Sequence, residues 1–248
     1  MVNASPELRH RRDHAVAKRA RQLLLFAAAF GSTCAFSVVA RAEPPRFEAG
    51  GRLGYALHLG ELESGTDLSE LTPGRVPLWV DLGVRLSPAI SIASYLEVGA
   101  GIPGRVLARD CDAYEALGTS CDAETGALRI GIQSQLHLAP GAAIDPWVGL
   151  TAGYEWMAFE LELEQSDDAS ELNRGVHGFE LGLQGGADFR ISSRAGLGPF
   201  AGLTFGRYHS YVAECDGECG VVSRSSGEIA EPSLHGALVL GVRVVVLP

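Results

Sequence analysis

The sequence has almost no lysine, and none after residue 18. Beyond residue 42 it carries 13 arginines against 28 acidic residues, an excess of fifteen negative charges. A protein that binds nucleic acid needs a surface rich in positive charge. The composition of the chain therefore argues against a nucleic-acid partner.

Long apolar runs are also absent, with one exception near the start of the chain. Residues 1–21 carry six basic side chains and precede an apolar run over 23–40, which is followed by an A-x-A sequence ending at residue 42. This order of segments is typical of a secretory signal peptide. We therefore expect residues 1–42 to be a signal peptide and residues 43–248 to form the mature domain. An uncleaved membrane anchor is the alternative, because the run approaches the length of a spanning helix.

Familiar catalytic motifs are lacking as well. Neither G-x-S-x-G nor H-E-x-x-H occurs in the chain, so two common arrangements for hydrolysis are not indicated. His209 and Ser210 are adjacent on a predicted strand, and we expect their side chains to point to opposite faces. A lipid-modifying barrel enzyme is therefore the least favoured of three functions considered.

Cysteine is scarce, with five residues in the chain, of which Cys34 falls in the predicted signal peptide. The other four form two local pairs, Cys111 with Cys121 and Cys215 with Cys219. Local pairs in an exported chain indicate disulfides. Zinc ligation is the alternative for the second pair, but no histidine pair accompanies it.

What the chain has in abundance is alternation of apolar and polar residues. The first such segment places Phe47, Leu53 and Leu57 on one side, with Glu48 and Arg52 on the other. Strict alternation predicts a β-strand with one apolar and one polar face. The eight strands predicted in this way span about 46–59, 77–87, 90–102, 127–139, 146–159, 176–191, 199–211 and 234–247.

The connections between these strands are alternately long and short. The short ones have turn-type composition, and the long ones hold the whole excess of negative charge. The long connections span about 60–75, 103–126, 160–174 and 212–232. An even number of strands with short turns at one end and long loops at the other is typical of outer-membrane barrels. We therefore expect an all-β fold, an eight-stranded antiparallel up-and-down transmembrane β-barrel preceded by a signal peptide, with a soluble sandwich as the alternative.

Aromatic residues occur near the ends of the predicted strands. Such residues commonly form girdles at the two membrane interfaces. The expected girdle residues are Trp156, Phe159, Tyr208 and Tyr211 on the side of the long loops, and Phe47 and Phe189 on the other side.

The polar faces of the strands carry charges of both signs. The predicted interior polar network consists of Glu48, Arg52, Asp81, Arg85, Glu97, Arg129, Glu155, Glu180, Asp188, Arg190 and Arg243. Because an eight-stranded barrel leaves room only for its own side chains, such charges must pair with one another. A closed polar plug is the favoured interpretation, and an ion pathway is the alternative.

Acidic residues crowd two of the long connections. The weak metal candidates among them are Asp110, Asp112, Glu162, Glu164, Asp167 and Asp168. Oxygen ligands at this density suit Ca²⁺ or Mg²⁺, and such ions could bridge the carboxylates to anionic lipopolysaccharide. No spacing matches an EF-hand, and a solvated charge run is the simpler interpretation. No other cofactor is expected.

The eight alternating segments, the long loops at one end and the polar interior resemble the small OmpA-like/OmpX-like outer-membrane β-barrel superfamily, a porin-like family, over residues 46–248. The resemblance implies the outer membrane of a Gram-negative-type envelope, with outer-membrane lipid and lipopolysaccharide as neighbours, and a monomer is expected. The chain departs from the family at its end, Leu247-Pro248, where these proteins typically carry an aromatic assembly signal.

Three functions follow in order of preference. The first is a structural or surface-interaction role, in which the acidic, disulfide-clipped loops meet an extracellular ligand. The second is a narrow channel for ions or small solutes. The third is lipid modification. The sequence favours the first because the charge lies in the loops, and because no catalytic motif accompanies the barrel pattern.

Overall fold

The computed structural model describes residues 46–165, 168–216 and 224–247, and at 165, 168, 169 and 216 it describes the backbone alone. The predicted signal peptide, residues 1–42, lies outside these ranges. The elements are β1 (Arg46–Glu63), β2 (Thr66–Asp67), α1 (Leu68–Leu71), β3 (Gly74–Ser87), β4 (Ile90–Ile102), α2 (Arg105–Glu115), β5 (Ser120–His137), β6 (Ile144–Gln165), β7 (Asp168–Arg190), β8 (Ala195–Asp216), β9 (Arg224–Glu228) and β10 (His235–Val246).

Eight of these strands form a closed antiparallel ring. From β3 to β8 each wall strand pairs with the next in the chain, while β1 pairs with both β3 and β10, and β10 pairs with β8. Leu240 of β10 faces Tyr55 of β1 on one side and Ala201 of β8 on the other. Closure of the ring leaves its wall without a free edge. The predicted eight-stranded barrel is confirmed.

The connections differ between the two ends of the ring. Short turns join β3 to β4, β5 to β6 and β7 to β8, as predicted, and we call this the inner end. At the opposite, outer end the predicted long loops are wrong in extent. Residues 160–165 and 169–174 are paired strands, with Glu162 opposite Glu171, because β6 and β7 continue well beyond their predicted ends.

The outer surface of the ring is apolar over most of its height. The outward residues that form this apolar belt include Leu53, Leu57, Leu78, Leu82, Ile92, Val98, Ile132, Leu136, Leu150, Phe179, Leu181, Leu183, Phe205, Leu238, Leu240 and Val242, all substantially exposed. A continuous apolar surface of this size marks contact with a membrane. The five outward residues of β10 from Leu238 to Val246 rise about 20 Å at a typical strand tilt, close to the apolar band of outer-membrane barrels.

Beyond the apolar belt the polarity of the wall reverses. On β6, Glu155 is buried inside the barrel and Trp156 is exposed, whereas a few residues later Phe159 is buried inside and Glu160 and Glu162 take the outward positions. The same strand thus has a polar interior within the membrane and an apolar interior outside it. Outside the membrane both faces of the wall would meet water, so the apolar side chains there are stabilised by burial inside the sheet.

We call the part beyond the belt the outer extension: the described residues of 60–73, 103–126, 157–176 and 210–234. Its interior holds an apolar cluster that also includes Tyr208 at the base of the extension. This cluster, the outer core, is made of Leu62, Leu68, Leu71, Leu107, Met157, Phe159, Val176, Tyr208 and Ile229, all buried. Both helices contribute to this cluster, α1 through Leu68 and Leu71 and α2 through Leu107. No helix among the described residues is long and apolar enough to cross a membrane.

Candidate functional site

The interior of the barrel is filled by three layers of paired polar side chains. The inner layer, near the short turns, is organised by Arg243, which donates to Glu48 at 2.8 Å and to Asp188 at 3.1 Å. Arg85 donates to the same Glu48 at 3.1 Å and lies 3.1 Å from a ring nitrogen of His137. Buried charges of both signs therefore neutralise one another directly above the short turns.

The middle layer centres on Arg52. Its guanidinium makes a two-pronged pair with Asp81, at 2.8 and 2.7 Å, and donates to Gln184 at 2.5 Å and to Gln133. The same group lies 5.8 Å from the ring of Trp79, within range of a cation–π contact. Planar arginine suits this site because it satisfies several acceptors at once.

The outer layer contains two arginines and three glutamates. Arg75 lies 3.0 Å from Glu97 and 2.5 Å from Glu155, and Arg129 contacts Glu97 at 2.6 Å and also Glu180. All five side chains are at most 4% exposed. Each carboxylate thus has at least one guanidinium beside it. Their attraction offsets much of the desolvation free energy that burial of these charges costs.

The outer layer is joined to the outer core by Tyr208. Its hydroxyl donates to Glu155 at 2.8 Å, and its ring stacks on His235 with the centroids 3.8 Å apart. The wholly buried ring of Tyr208 also belongs to the outer core. A lid of apolar side chains therefore lies directly on the polar plug.

A cavity inside the plug is small. The cavity between the middle and outer layers, lined by Arg52, Tyr95 and Arg129 among others, measures about 30 Å³. A volume of that size holds about two or three water molecules. Gly131 and Gly153 contribute to this close packing, because a side chain on either would collide with Tyr95.

Most of the predicted interior residues lie where the alternation placed them. Ten of the eleven side chains of the predicted polar network face the interior. The prediction is wrong for Arg190, which is exposed because it is the last residue of β7 and sits at the rim of the wall.

Sequence reasoning missed two interior charges. Arg75 was assigned to a loop, and Asp145 was left just outside the start of a strand; both are buried. The alternation could have found them, since Arg75 lies six positions before Asp81, an even step that places both on the same face. The strands simply begin earlier than the turn-like composition suggested.

Three of the expected girdle residues are not on the membrane surface. Phe159 and Tyr208 are buried in the outer core and Tyr211 packs against it, so their assignment to a girdle is wrong. Trp156, Phe47 and Phe189 are exposed on the outward face, in positions that suit a girdle. The reversal of polarity explains the error, because Phe159 lies beyond the point at which the inward face becomes apolar.

The expected orientation of His209 and Ser210 is also wrong. The register between β7 and β8 shifts at this point, with His177 opposite Ser210 and Gly178 opposite Tyr208. His209 is therefore the extra residue of a β-bulge. Since Tyr208 points inward and Tyr211 packs against the outer core, both residues between them lie on the outward face.

The disulfide prediction is confirmed for one pair. Cys111 of α2 is bonded to Cys121 of β5, which ties the helix to the wall of the outer extension. Cys215 is also disulfide-bonded, while its predicted partner Cys219 lies outside the described residues. The clip on α2 limits how far this helix can move from the strand beside it.

The acidic metal candidates are distributed over the outer extension. Asp110 and Asp112 are on α2, and Glu162 and Glu164 follow the outward face of β6. Asp167 and the side chain of Asp168 lie outside the described residues. Among the residues with described side chains, none of these acids joins a group of three potential ligand atoms within 4.8 Å.

One buried group in the lumen does meet that distance criterion. Glu155, Glu180 and His235 place ligand atoms within 4.8 Å of one another. Arg75 and Arg129 already supply positive charge to these carboxylates. A metal ion there would meet two cations at close range, so we interpret the group as part of the plug.

No family model and no curated protein matches the chain. Among solved structures, Neisserial surface protein A gives a TM-score of 0.47 with 13% identity over 82% of this chain and 99% of that one. A major outer membrane protein from Thermus thermophilus gives 0.46 with 14% identity over 79% and 99%. Ail, the attachment invasion locus protein of Yersinia pestis, gives 0.39 with 10% identity over 80% and 99%.

The assignment of the fold rests on the strand pairing and surface of this chain itself. A closed antiparallel ring with an apolar belt, short turns at one end and long connections at the other is the architecture of outer-membrane barrels. The protein is accordingly an outer-membrane β-barrel, as the resemblance found in the sequence implied.

Proposed function

We propose that this outer-membrane barrel works at the cell surface through its outer extension, with the barrel serving as a rigid, closed anchor. The observation that carries the proposal is the reversal of polarity along β6: Glu155 is buried within the belt, and Phe159 is buried beyond it. The extension therefore has a core of the kind found in soluble proteins. Such a core holds a projecting surface in a fixed shape.

The closed lumen supports this proposal over the channel. The three polar layers hold paired charges, a cavity between the middle and outer layers measures only about 30 Å³, and the outer core covers their outer side. Conduction would require several buried ion pairs to part, and breaking one such pair typically costs about 3–5 kcal/mol. A plug that also carries an apolar lid favours a structural role for the barrel.

The outward face of the extension carries the surface that we propose to be functional. Neighbouring strands place acids in register, with Asp122 opposite Glu162 and Glu162 opposite Glu171. This face therefore presents several carboxylates close together, and their negative charge suits a partner with positive charge. We propose a cationic extracellular ligand, or divalent ions that link this face to lipopolysaccharide.

The test compares two variants that lose equal charge. Asp122→Asn/Glu162→Gln/Glu171→Gln neutralises the acidic face, while Asp67→Asn/Asp112→Asn/Glu115→Gln removes three exposed acids elsewhere in the extension. Cells that display each protein are stained with a fluorescent oligoarginine peptide, and binding is measured by flow cytometry at two salt concentrations.

We expect the first variant to bind the peptide several-fold less than the parent, with a weaker dependence on salt because fewer ion pairs form, and the second to stay close to the parent. Equal binding by the parent and the first variant would contradict a role for this face. In a parallel experiment, steady single-channel conductance of the purified protein in planar bilayers would favour the channel instead.

A further inference from the structure

The outer edge of the apolar belt carries a cluster of aromatic and imidazole side chains that the closed barrel does not require. Tyr154 of β6, His177 of β7 and His209 of β8 lie on the outward face of three neighbouring strands, where Tyr154 is opposite the exposed Phe179 and His177 is two residues nearer the outer end. This places them at the level where a barrel meets lipid headgroups and water. They are therefore reachable by a solute from the outside medium.

The three polar groups converge on one point. The phenol oxygen of Tyr154 is in contact with Nδ1 of His177 and lies 3.1 Å from Nε2 of His209. The two imidazole rings are 5.4 Å apart, centroid to centroid, and nearly perpendicular. In an ordinary aromatic girdle each side chain contacts the lipid separately, whereas here two ring nitrogens from different strands lie close to the same phenol oxygen.

The local structure holds this arrangement in place. His209 takes the outward position that follows the inward Tyr208 in the alternation of β8, and the β-bulge there turns Ser210 onto the same face. Phe179 stacks on the ring of His209, with centroids 5.8 Å apart, and Trp156 lies 4.6 Å from the ring of Tyr154. The ligating atoms thus belong to side chains that are fixed by their neighbours.

From this geometry we propose that Tyr154, His177 and His209 form a binding site for a divalent transition-metal ion, Cu²⁺ or Zn²⁺. Imidazole nitrogen suits both ions, and a phenolate oxygen adds a negative charge once the tyrosine proton is released. Ligands about 2.1 Å from an ion lie about 3.0 Å apart in a square-planar site and about 3.4 Å apart in a tetrahedral one. The 3.1 Å spacing of Tyr154 and His209 falls between these values.

The site leaves room for a further ligand from outside. The imidazole of His209 is exposed, and the adjacent Ser210 shares its outward face because of the bulge. Three protein ligands with an open position is the pattern of sites that also bind water or an anion. The order of metal affinities for such donors predicts tighter binding of Cu²⁺ than of Zn²⁺.

The experiment uses the full mature chain folded in detergent and carrying no polyhistidine tag. Cu²⁺ is titrated by calorimetry, and the bound ion is examined by electron paramagnetic resonance, in which imidazole nitrogens give a characteristic splitting. We expect one Cu²⁺ per chain with two coordinated nitrogens. His177→Gln and His209→Gln should each lower the affinity by about 100-fold or more, since even the loss of a supporting partner typically costs 10–100-fold.

Two variants provide the controls. Tyr154→Phe removes only the oxygen, and we expect weaker binding with both nitrogen splittings retained. Arg207→Gln changes an exposed outward residue of β8 that donates no ligand, and its affinity should match the parent. The gel shift between unheated and boiled samples verifies that each variant is folded. Two results would overturn the proposal: a Cu²⁺ signal without nitrogen splitting, or an affinity of the double variant His177→Gln/His209→Gln equal to that of the parent. Either result would mean that carboxylates of the acidic extension bind the ion.

Discussion

At the scale of single residues, the plug depends on a few guanidinium groups that each serve two carboxylates. Arg75 pairs with Glu97 and Glu155, and Arg243 pairs with Glu48 and Asp188. Loss of one such arginine removes a cationic partner from two buried carboxylates at once. By contrast, Arg190 was predicted to belong to the same network but is exposed at the rim.

This difference gives a prediction with a matched control. Arg75→Ala should lower the free energy of unfolding by about 3–5 kcal/mol, because the buried Glu97 and Glu155 then share Arg129 with Glu180 and lose their other guanidinium. Arg190→Ala removes an arginine side chain from an exposed site and should change the free energy of unfolding by less than about 0.5 kcal/mol. Both values come from urea unfolding of the refolded protein in detergent, followed by tryptophan fluorescence. Equal effects of the two substitutions would contradict the structural assignment.

At the scale of the element, β6 shows how neighbouring strands decide a conformation. Its outer half alternates leucine and glutamate, two residues with high helix propensity. The alternation itself has the period of a strand, and pairing on both sides, with β5 and β7, fixes it as one. Tertiary pairing therefore extends the strand through residues that turn and charge composition assigned to a loop.

The element next to this wall, α2, gives the second prediction. Cys111→Ser/Cys121→Ser opens a loop whose closing residues are ten positions apart, and closure of such a loop typically contributes about 2–3 kcal/mol. We expect faster cleavage by trypsin at Arg105 and Arg109, observed by mass spectrometry, while the membrane part stays resistant. Ala113→Ser, on an exposed position of the same helix, is the control and should leave the cleavage rate unchanged. Unaltered cleavage of the double variant would show that the disulfide does not restrain α2.

At the scale of the whole molecule, the chain combines two opposite arrangements of polarity on one continuous sheet. Within the belt, Leu82 and Leu240 face outward and Arg52 is inside; beyond it, Phe159 is inside and Glu162 lies on the outward face. The boundary marks the change of solvent from lipid to water. The position of that boundary on the structure therefore predicts where the membrane ends.

The third prediction follows from the closed wall. The mature protein should be found in the outer-membrane fraction, and in detergent gels its unheated form should migrate differently from the boiled form, since a closed ring of paired strands resists unfolding by detergent. Arg75→Ala should convert to the boiled form at a lower temperature than the parent. A soluble periplasmic protein without a gel shift would contradict a membrane barrel.

The sequence by itself determined the strands that cross the membrane, their number, the inward or outward direction of nearly all their side chains, and the pairing of Cys111 with Cys121. Alternation suffices for this because a strand has a strict period of two. It left open where each strand ends, since strand length depends on the neighbour with which it pairs. For that reason Arg75 was missed and Arg190 was misplaced.

Only the tertiary structure decided the features that depend on distant parts of the chain. Closure of β10 onto β1 converts alternating segments into a wall without edges. The register of β6, β7 and β8 brings His209 together with Tyr154 and His177, which are far apart in the sequence. The outer core forms because strands and both helices meet beyond the membrane. Such contacts arise from register and packing between segments, and no local pattern of residues encodes them.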